Sequence, residues 1–239
     1  MTNKSQDNYS NATLDLVNKF VASNQRKRIN LLAEIESESL GIFNIGYVLF
    51  DQFDKEGDDW SIGWILQVLK KHQPNFFENK VFNNWFNTYS DVNLNYDELQ
   101  LLLLEQKFEE ADRITSSYLR KLAGKLAEKR GYVFYSEVNN MSGKDLQTID
   151  RLWNIYSNGR FGFSNQAKIL KSVGLRYESL WPKIGWKTDG LWTRYPNSFC
   201  WSLKAPDGHM PLINQLRGVR LMDSILRHPS IVERHNNIL

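Results

Sequence analysis

One cysteine, Cys200, stands in 239 residues, so the chain can close no disulfide within itself and build no cysteine-based zinc site. Long apolar runs are missing as well. The longest candidate, Leu99 to Leu104, is interrupted by Gln100 and followed by Glu105, far short of the ~18 apolar residues that span a bilayer. Surplus charge is small: 30 Lys and Arg face 27 Asp and Glu, a net of +3 that does not by itself mark a nucleic-acid binder. The four histidines, His72, His209, His228 and His235, show no His-x-x-x-His spacing, which argues against a helical zinc or di-iron site. Glycine-rich phosphate loops, a nucleophile elbow and an acid/base pair are all lacking, and Glu109-Glu110 reads as a solvated helix face. No enzyme is legible, and no catalytic cofactor is expected. The first eleven residues are polar and Asn/Ser-rich; without an apolar core or an Arg-rich amphipathic pattern they are expected to direct neither export nor import.

What is present suits a globular protein, with 41% hydrophobic and 24% charged residues. Leu14, Val17 and Val21 form one helical stripe, and Ile29 to Leu40 repeats it after the basic Gln25-Arg-Lys-Arg28. Gly41 to Phe53 and Ser61 to His72 add apolar runs, with Gly57-Asp-Asp59 as a turn or cap and Pro74 as a stop. The pattern predicts a helical bundle over residues 1–90, an aperiodic linker from Thr88 to Asn95, and a second domain over residues 91–239. There, Leu99, Leu102 and Leu103, then Phe108, Ala111, Ile114, Tyr118 and Leu122, predict a helical hairpin from Tyr96 to Ala123. It looks like one tetratricopeptide-style unit, with no second copy at a fixed period. Asp145 is expected to cap a helix carrying Leu146, Ile149, Leu152, Trp153 and Tyr156, with Gly159 at its end. Ser164 is expected to cap a shorter helix reaching Gly174. Tyr132 to Val138 reads as a helical turn or one short strand. The fold class predicted is all-α.

From Trp181 to Pro211 the pattern changes. Four of the six prolines and three glycines break every regular element, predicting a loop of about 30 residues, longer than compact domains usually keep without a function. Trp181, Trp186, Trp192, Tyr195, Phe199 and Trp201 put six large rings into 21 residues, half of the chain's eight tryptophans among them. Such rings either form a satellite core under the loop or offer a flat apolar surface to a ligand. Positive charge gathers beside them: six Lys and Arg stand against Asp189 and Asp207 between Trp181 and Arg220. A helix opening at Pro211 is expected to turn Leu212, Leu216, Val219, Met222 and Leu226 to the core and to hold Asn214, Arg217 and Arg220 on another face. Rings beside guanidiniums suit a large, planar, apolar ligand with carboxylates at its edge. The same features leave two other readings open, a helical interaction module whose aromatic loop docks a peptide, and a single-stranded nucleic-acid platform, which the weak charge disfavours.

Four segments carry a family resemblance: Ser157-Asn-Gly-Arg-Phe-Gly-Phe-Ser164, Leu180-Trp-Pro-Lys-Ile-Gly-Trp-Lys187, Leu191-Trp-Thr-Arg194 and Leu212-Ile-Asn-Gln-Leu-Arg-Gly-Val-Arg220. In these the chain strongly resembles the genomes-uncoupled-four family of cyanobacteria and plastids, across residues 96–229. The resemblance implies an all-helical porphyrin carrier without enzymatic activity, with protoporphyrin IX and magnesium protoporphyrin IX as ligands in a cup of long loops against helices. It implies the H subunit of magnesium chelatase as partner, stimulation of chlorophyll synthesis, and no nucleic acid; peripheral association with plastid membranes is compatible with it. Carried over by motif, the porphyrin-binding residues are Val138, Trp192, Tyr195, Phe199, Asn214, Arg217 and Arg220. Tyr195 departs from the Trp common at that position, so its hydroxyl is expected to add a hydrogen bond or its ring to stack less well. Abundant Asn, Ile and Lys suggest an algal plastid genome and a stromal location, with a cyanobacterial cytoplasm as the alternative.

Overall fold

The computed structural model describes residues 3–78, 80–213 and 219–237. The chain divides into two compact units, Met1–Asn87 and Thr88–Leu239.

The first unit holds helices α1 (Asn3–Ala22), α2 (Gln25–Ser37), α3 (Ser39–Ile45), α4 (Tyr47–Phe50) and α5 (Trp60–His72), followed by two 3₁₀ segments, Pro74–Glu78 and Lys80–Asn84. The stripe on α1 runs through Thr13, Val17 and Phe20, which are buried, while Leu14 and Val21 lie at its edge. Phe50 meets Phe82 and Trp85 edge to face and Phe76 at a tilt, and Phe76 and Phe82 tilt against each other. Asp59 caps α5 through the Ser61 N–H at 2.9 Å. It also receives a two-pronged bond from Arg28, at 2.7 and 3.0 Å, so the basic start of α2 and the acidic turn answer each other.

The second unit is built on the expected hairpin, α6 (Asp97–Leu104) and α7 (Phe108–Ala123), with α8 (Lys125–Arg130), α9 (Gly143–Ile155), α10 (Phe163–Ser172) and α11 (Tyr177–Lys183), then α12 (Val219–Leu226) and α13 (Pro229–Asn237). Trp153 of α9 is fully buried, stacks on Phe108 at 6.1 Å and donates its indole N–H to Thr115 at 3.0 Å. Among the described residues of this unit the regular structure is helical apart from one hairpin of two-residue strands, Lys187–Thr188 against Leu191–Trp192.

Several local expectations need correction. Ser142, not Asp145, caps α9, its hydroxyl accepting the Asp145 N–H at 3.2 Å. Asp145 is fully buried and accepts the Tyr96 hydroxyl at 2.7 Å and the Asp91 N–H at 2.9 Å. Burial raises this carboxyl, yet bonds from Ser90, Tyr96, Ser142 and Asp91 outweigh burial and hold it below the usual carboxylate range. The aperiodic 88–95 stretch is thereby tied to α9, as the Thr148 hydroxyl bond to the Tyr89 carbonyl at 2.8 Å confirms. Ser164 is no cap either: α10 starts after Gly162, and Asp150 accepts the Ser164 N–H at 2.8 Å. The α9 helix ends at Ile155, and Gly159 closes the turn that follows by donating to the Asn154 carbonyl. The 132–138 stretch resolves into a 3₁₀ segment over Tyr135–Asn140.

The segment Trp181 to Pro211 is not wholly irregular. Trp181 sits in α11, and Asp189-Gly190, with φ of 50° and 80°, make the tight turn that the Asp-Gly pair favours. Pro211 follows a cis bond and starts no helix through Ile213. The next described helix is α12, and it is not the last. Met222 and Leu226 are buried as expected and Val219 is half-buried; Leu216 lies outside the described residues.

Candidate functional site

The aromatic loop is held down by residues of the motif segments. Arg160 bonds Asp207 at 2.6 Å, the Ala205 carbonyl at 2.7 Å and the Leu203 carbonyl. Gln166 of α10 donates to the Gly208 and Pro211 carbonyls at 3.0 and 2.8 Å. His209 is buried and ties two turns together: Nδ1 donates to the Ile184 carbonyl at 2.6 Å and Nε2 accepts the Cys200 N–H at 3.3 Å. This arrangement requires the neutral ring, and burial lowers its pKa further.

The six rings divide into two kinds. Trp181 and Trp186 are buried and stack at 5.6 Å with planes 7° apart, and the Trp186 indole donates to the His209 carbonyl at 2.8 Å. They form the satellite core. Phe199 is also buried, between Trp201, Tyr195 and the His209 ring. Trp192 and Tyr195 are 46% and 42% exposed, and these two rings remain open to a ligand.

Tyr195 reaches into a cavity of about 430 Å³ on α7. Spacings of three and four bring Asp112, Arg113, Ser116, Leu119 and Arg120 to one side of that helix. Tyr132 and Val133 form a second wall, and Leu212 and Ile213 with Leu221 of α12 a third. Arg130, bonded to Glu137 at 2.7 Å, lies 4.6 Å from the Tyr132 ring centre and fixes that wall. Apolar walls, two tyrosines and two guanidiniums are what an extended apolar ligand with anionic edges needs.

At the base, Asp112 is only 2% exposed. Its Oδ1 accepts the Leu212 N–H at 2.6 Å, and the Tyr195 hydroxyl lies close enough to favour its charged form. Burial pushes this carboxyl up to about 7, against the pull of the Leu212 N–H, Tyr195 and the Arg113 guanidinium. The hydroxyl by which Tyr195 departs from Trp thus has Asp112 and Arg113 as polar neighbours.

Of the residues carried over by motif, the structure brings Tyr195 to the cavity, with Phe199 supporting it from behind. Trp192 stands on the hairpin, 5.4 Å from Trp181 and with the Lys187 amine 5.4 Å above its ring. Val138 is fully buried in the 135–140 segment, whereas Arg220 is exposed on α12 and lies 5.5 Å from the Tyr135 ring. Asn214 and Arg217 lie outside the described residues. Sequence reasoning missed Asp112, Arg113, Arg120 and Tyr132. Asp112 had a signal: it falls four residues after Phe108, within the apolar stripe of α7, where a carboxylate needs a partner.

Residues 89–229 match the GUN4-like family. A Ycf53-like protein of Synechocystis sp. (strain ATCC 27184 / PCC 6803 / Kazusa) is 42% identical over 173 residues, 71% of this chain and 74% of its own. The chloroplastic tetrapyrrole-binding protein of Arabidopsis thaliana is 40% identical over 151 residues, 59% of this chain and 57% of its own. The match therefore spans little more than half of the Arabidopsis protein. Among solved structures, GUN4 from Chlamydomonas reinhardtii superposes with a TM-score of 0.58 at 37% identity, covering 61% of this chain and 95% of that one.

Proposed function

The chain belongs to the GUN4-like family, and on that premise we propose that it binds a tetrapyrrole in the α7 cavity, as a carrier rather than an enzyme. The observation that carries this reading is the meeting of Tyr195, from the aromatic loop, with Arg113 and Arg120 of α7 around an apolar cleft. The macrocycle would lie against the tyrosines and apolar walls, and its propionates would pair with guanidiniums. Protoporphyrin IX and magnesium protoporphyrin IX are the ligands proposed. Trp192 offers a second exposed ring, buried Phe199 and Val138 would support the site from beneath rather than line it, and Arg220, with Asn214 and Arg217 on the strength of the Leu212–Arg220 motif, would serve the anionic edge.

The proposed role is stimulation of magnesium chelatase through its H subunit, by delivering substrate or removing product, which requires differential binding and no acid or base from this chain. A plastid or cyanobacterial setting is supported by the chloroplastic Arabidopsis relative and the Synechocystis relative. Titration with deuteroporphyrin while tryptophan fluorescence is followed tests the binding. Saturable quenching by porphyrin, absent with an oligonucleotide, is expected. Quenching by the oligonucleotide alone, with a steep salt dependence, would replace this reading with nucleic-acid stacking.

A further inference from the structure

Asp112 is the one buried carboxyl on the cavity wall among the described residues, and the family motifs give it no role. It stands where three parts of the site meet: α7 itself, the backbone at Leu212, whose N–H it accepts at 2.6 Å, and the Tyr195 side chain of the aromatic loop, which shares the cavity wall. We propose that Asp112 takes up one proton from solvent when a tetrapyrrole dicarboxylate fills the cavity, so that occupancy of the site and the charge of this residue are coupled. The inference rests on the cavity being the tetrapyrrole site.

Two effects of the ligand act in the same direction. An apolar macrocycle removes what water remains at the cavity wall, which disfavours the charged form of the acid. Propionates drawn to the guanidiniums bring negative charge close to Asp112, and repulsion between anions disfavours it again. Among the described residues the charged and titratable groups around it are Glu109, Arg113 and Arg120 of α7, Tyr195 of the loop and Tyr132 of the second wall. Leu212, Ile213 and Leu221 are apolar. Burial pushes the Tyr195 hydroxyl above its ordinary range. Asp112 is therefore the group able to change charge there, since burial already brings it to about 7 without ligand. Protonated on Oδ2, it keeps the Leu212 N–H bond through Oδ1, so that anchor of the site survives the change. By linkage, a ligand that raises this pKa binds more tightly as pH falls.

The test is calorimetric titration of the full chain with deuteroporphyrin at pH 7.0, 7.75 and 8.5 (values of order one pH unit about the Asp112 pKa), in buffers of differing ionisation enthalpy. Proton uptake approaching one per ligand at the alkaline end is expected, with affinity falling up to about tenfold per pH unit. Asp112→Asn, which keeps an acceptor for the Leu212 N–H, should bind with no proton uptake and a flat pH profile. Tyr195→Phe removes the donor that favours the anion, and should move the wild-type pH midpoint upward. Saturable binding without proton uptake, uptake that persists in Asp112→Asn, or an unmoved midpoint in Tyr195→Phe overturns the coupling while the tetrapyrrole reading stands. Absence of any saturable binding overturns both.

Discussion

Asp150 and Arg234 meet at 2.7 Å with the carboxylate side chain fully buried and the guanidinium 11% exposed. The other carboxylate oxygen accepts the Ser164 N–H, so one residue of α9 fixes the start of α10 and the position of α13. Removing one partner strands a buried charge. Arg234→Met is expected to cost about 3–5 kcal/mol, read as a lower urea midpoint with an unchanged slope.

The same carboxylate explains a glycine. Gly162 has φ +112°, and a Cβ there would lie 2.6 Å from Asp150 Oδ1. Gly190, with φ +80°, has nothing within 4 Å. Gly190→Ala should cost roughly 1 kcal/mol for its backbone alone, and Gly162→Ala about 3 kcal/mol or more, because the clash adds to the strain. Equal losses in chemical denaturation would remove the role given to Asp150.

Acid should loosen the aromatic loop. Burial lowers the pKa of His209 and of His228, so the neutral rings contribute stability that is fully present above the ordinary histidine pKa and is lost as pH falls through the folded values. Unfolding followed from pH 7.5 to pH 5 (a span of about one to two units around ~6.5) should show His209→Gln gaining stability relative to the unsubstituted chain as pH falls, while the raised Asp112 carboxyl acts in the opposite direction in both. An identical slope in that variant would mean that other groups carry the effect.

Phe199→Ala tests the ring behind the site. Phe199 is buried against Trp201, Tyr195 and His209, so truncation should cost about 3 kcal/mol of stability and weaken porphyrin binding by releasing Tyr195. Magnesium insertion by reconstituted chelatase at limiting porphyrin should fall with it. Full stimulation by a folded variant that no longer binds porphyrin would favour the interaction-module reading.

The helices were legible where an apolar stripe faces a core. On α7, Phe108, Ala111, Ile114, Tyr118 and Leu122 recur at three and four, and all but the half-buried Ile114 are buried. Caps were harder, because local chemistry competes with distant partners. Ser142 and Asp145 both suit a helix start, and only the buried Tyr96 hydroxyl and the Asp91 N–H decide which one caps. In the aromatic loop, composition announced the rings but not their division. Trp181 and Trp186 find each other as a stacked pair, and Tyr195 is directed by Asp112, 83 residues earlier in the chain. The cavity draws on α7, the 131–133 turn, the loop and α12, a convergence that tertiary packing creates and no single segment announces.

The most direct test of the tetrapyrrole site crosses Arg120→Ala and Arg217→Ala with deuteroporphyrin and its dimethyl ester in equilibrium titrations. Esterification removes the anionic partner, so a guanidinium that binds a propionate should matter only for the diacid. Each substitution is expected to weaken the diacid by about 1.5–3 kcal/mol where the pair is partly buried, less if it is solvated, and to leave the ester unchanged. Equal losses for both ligands, or no loss for either in folded variants, would contradict a site that recognises a planar dicarboxylate.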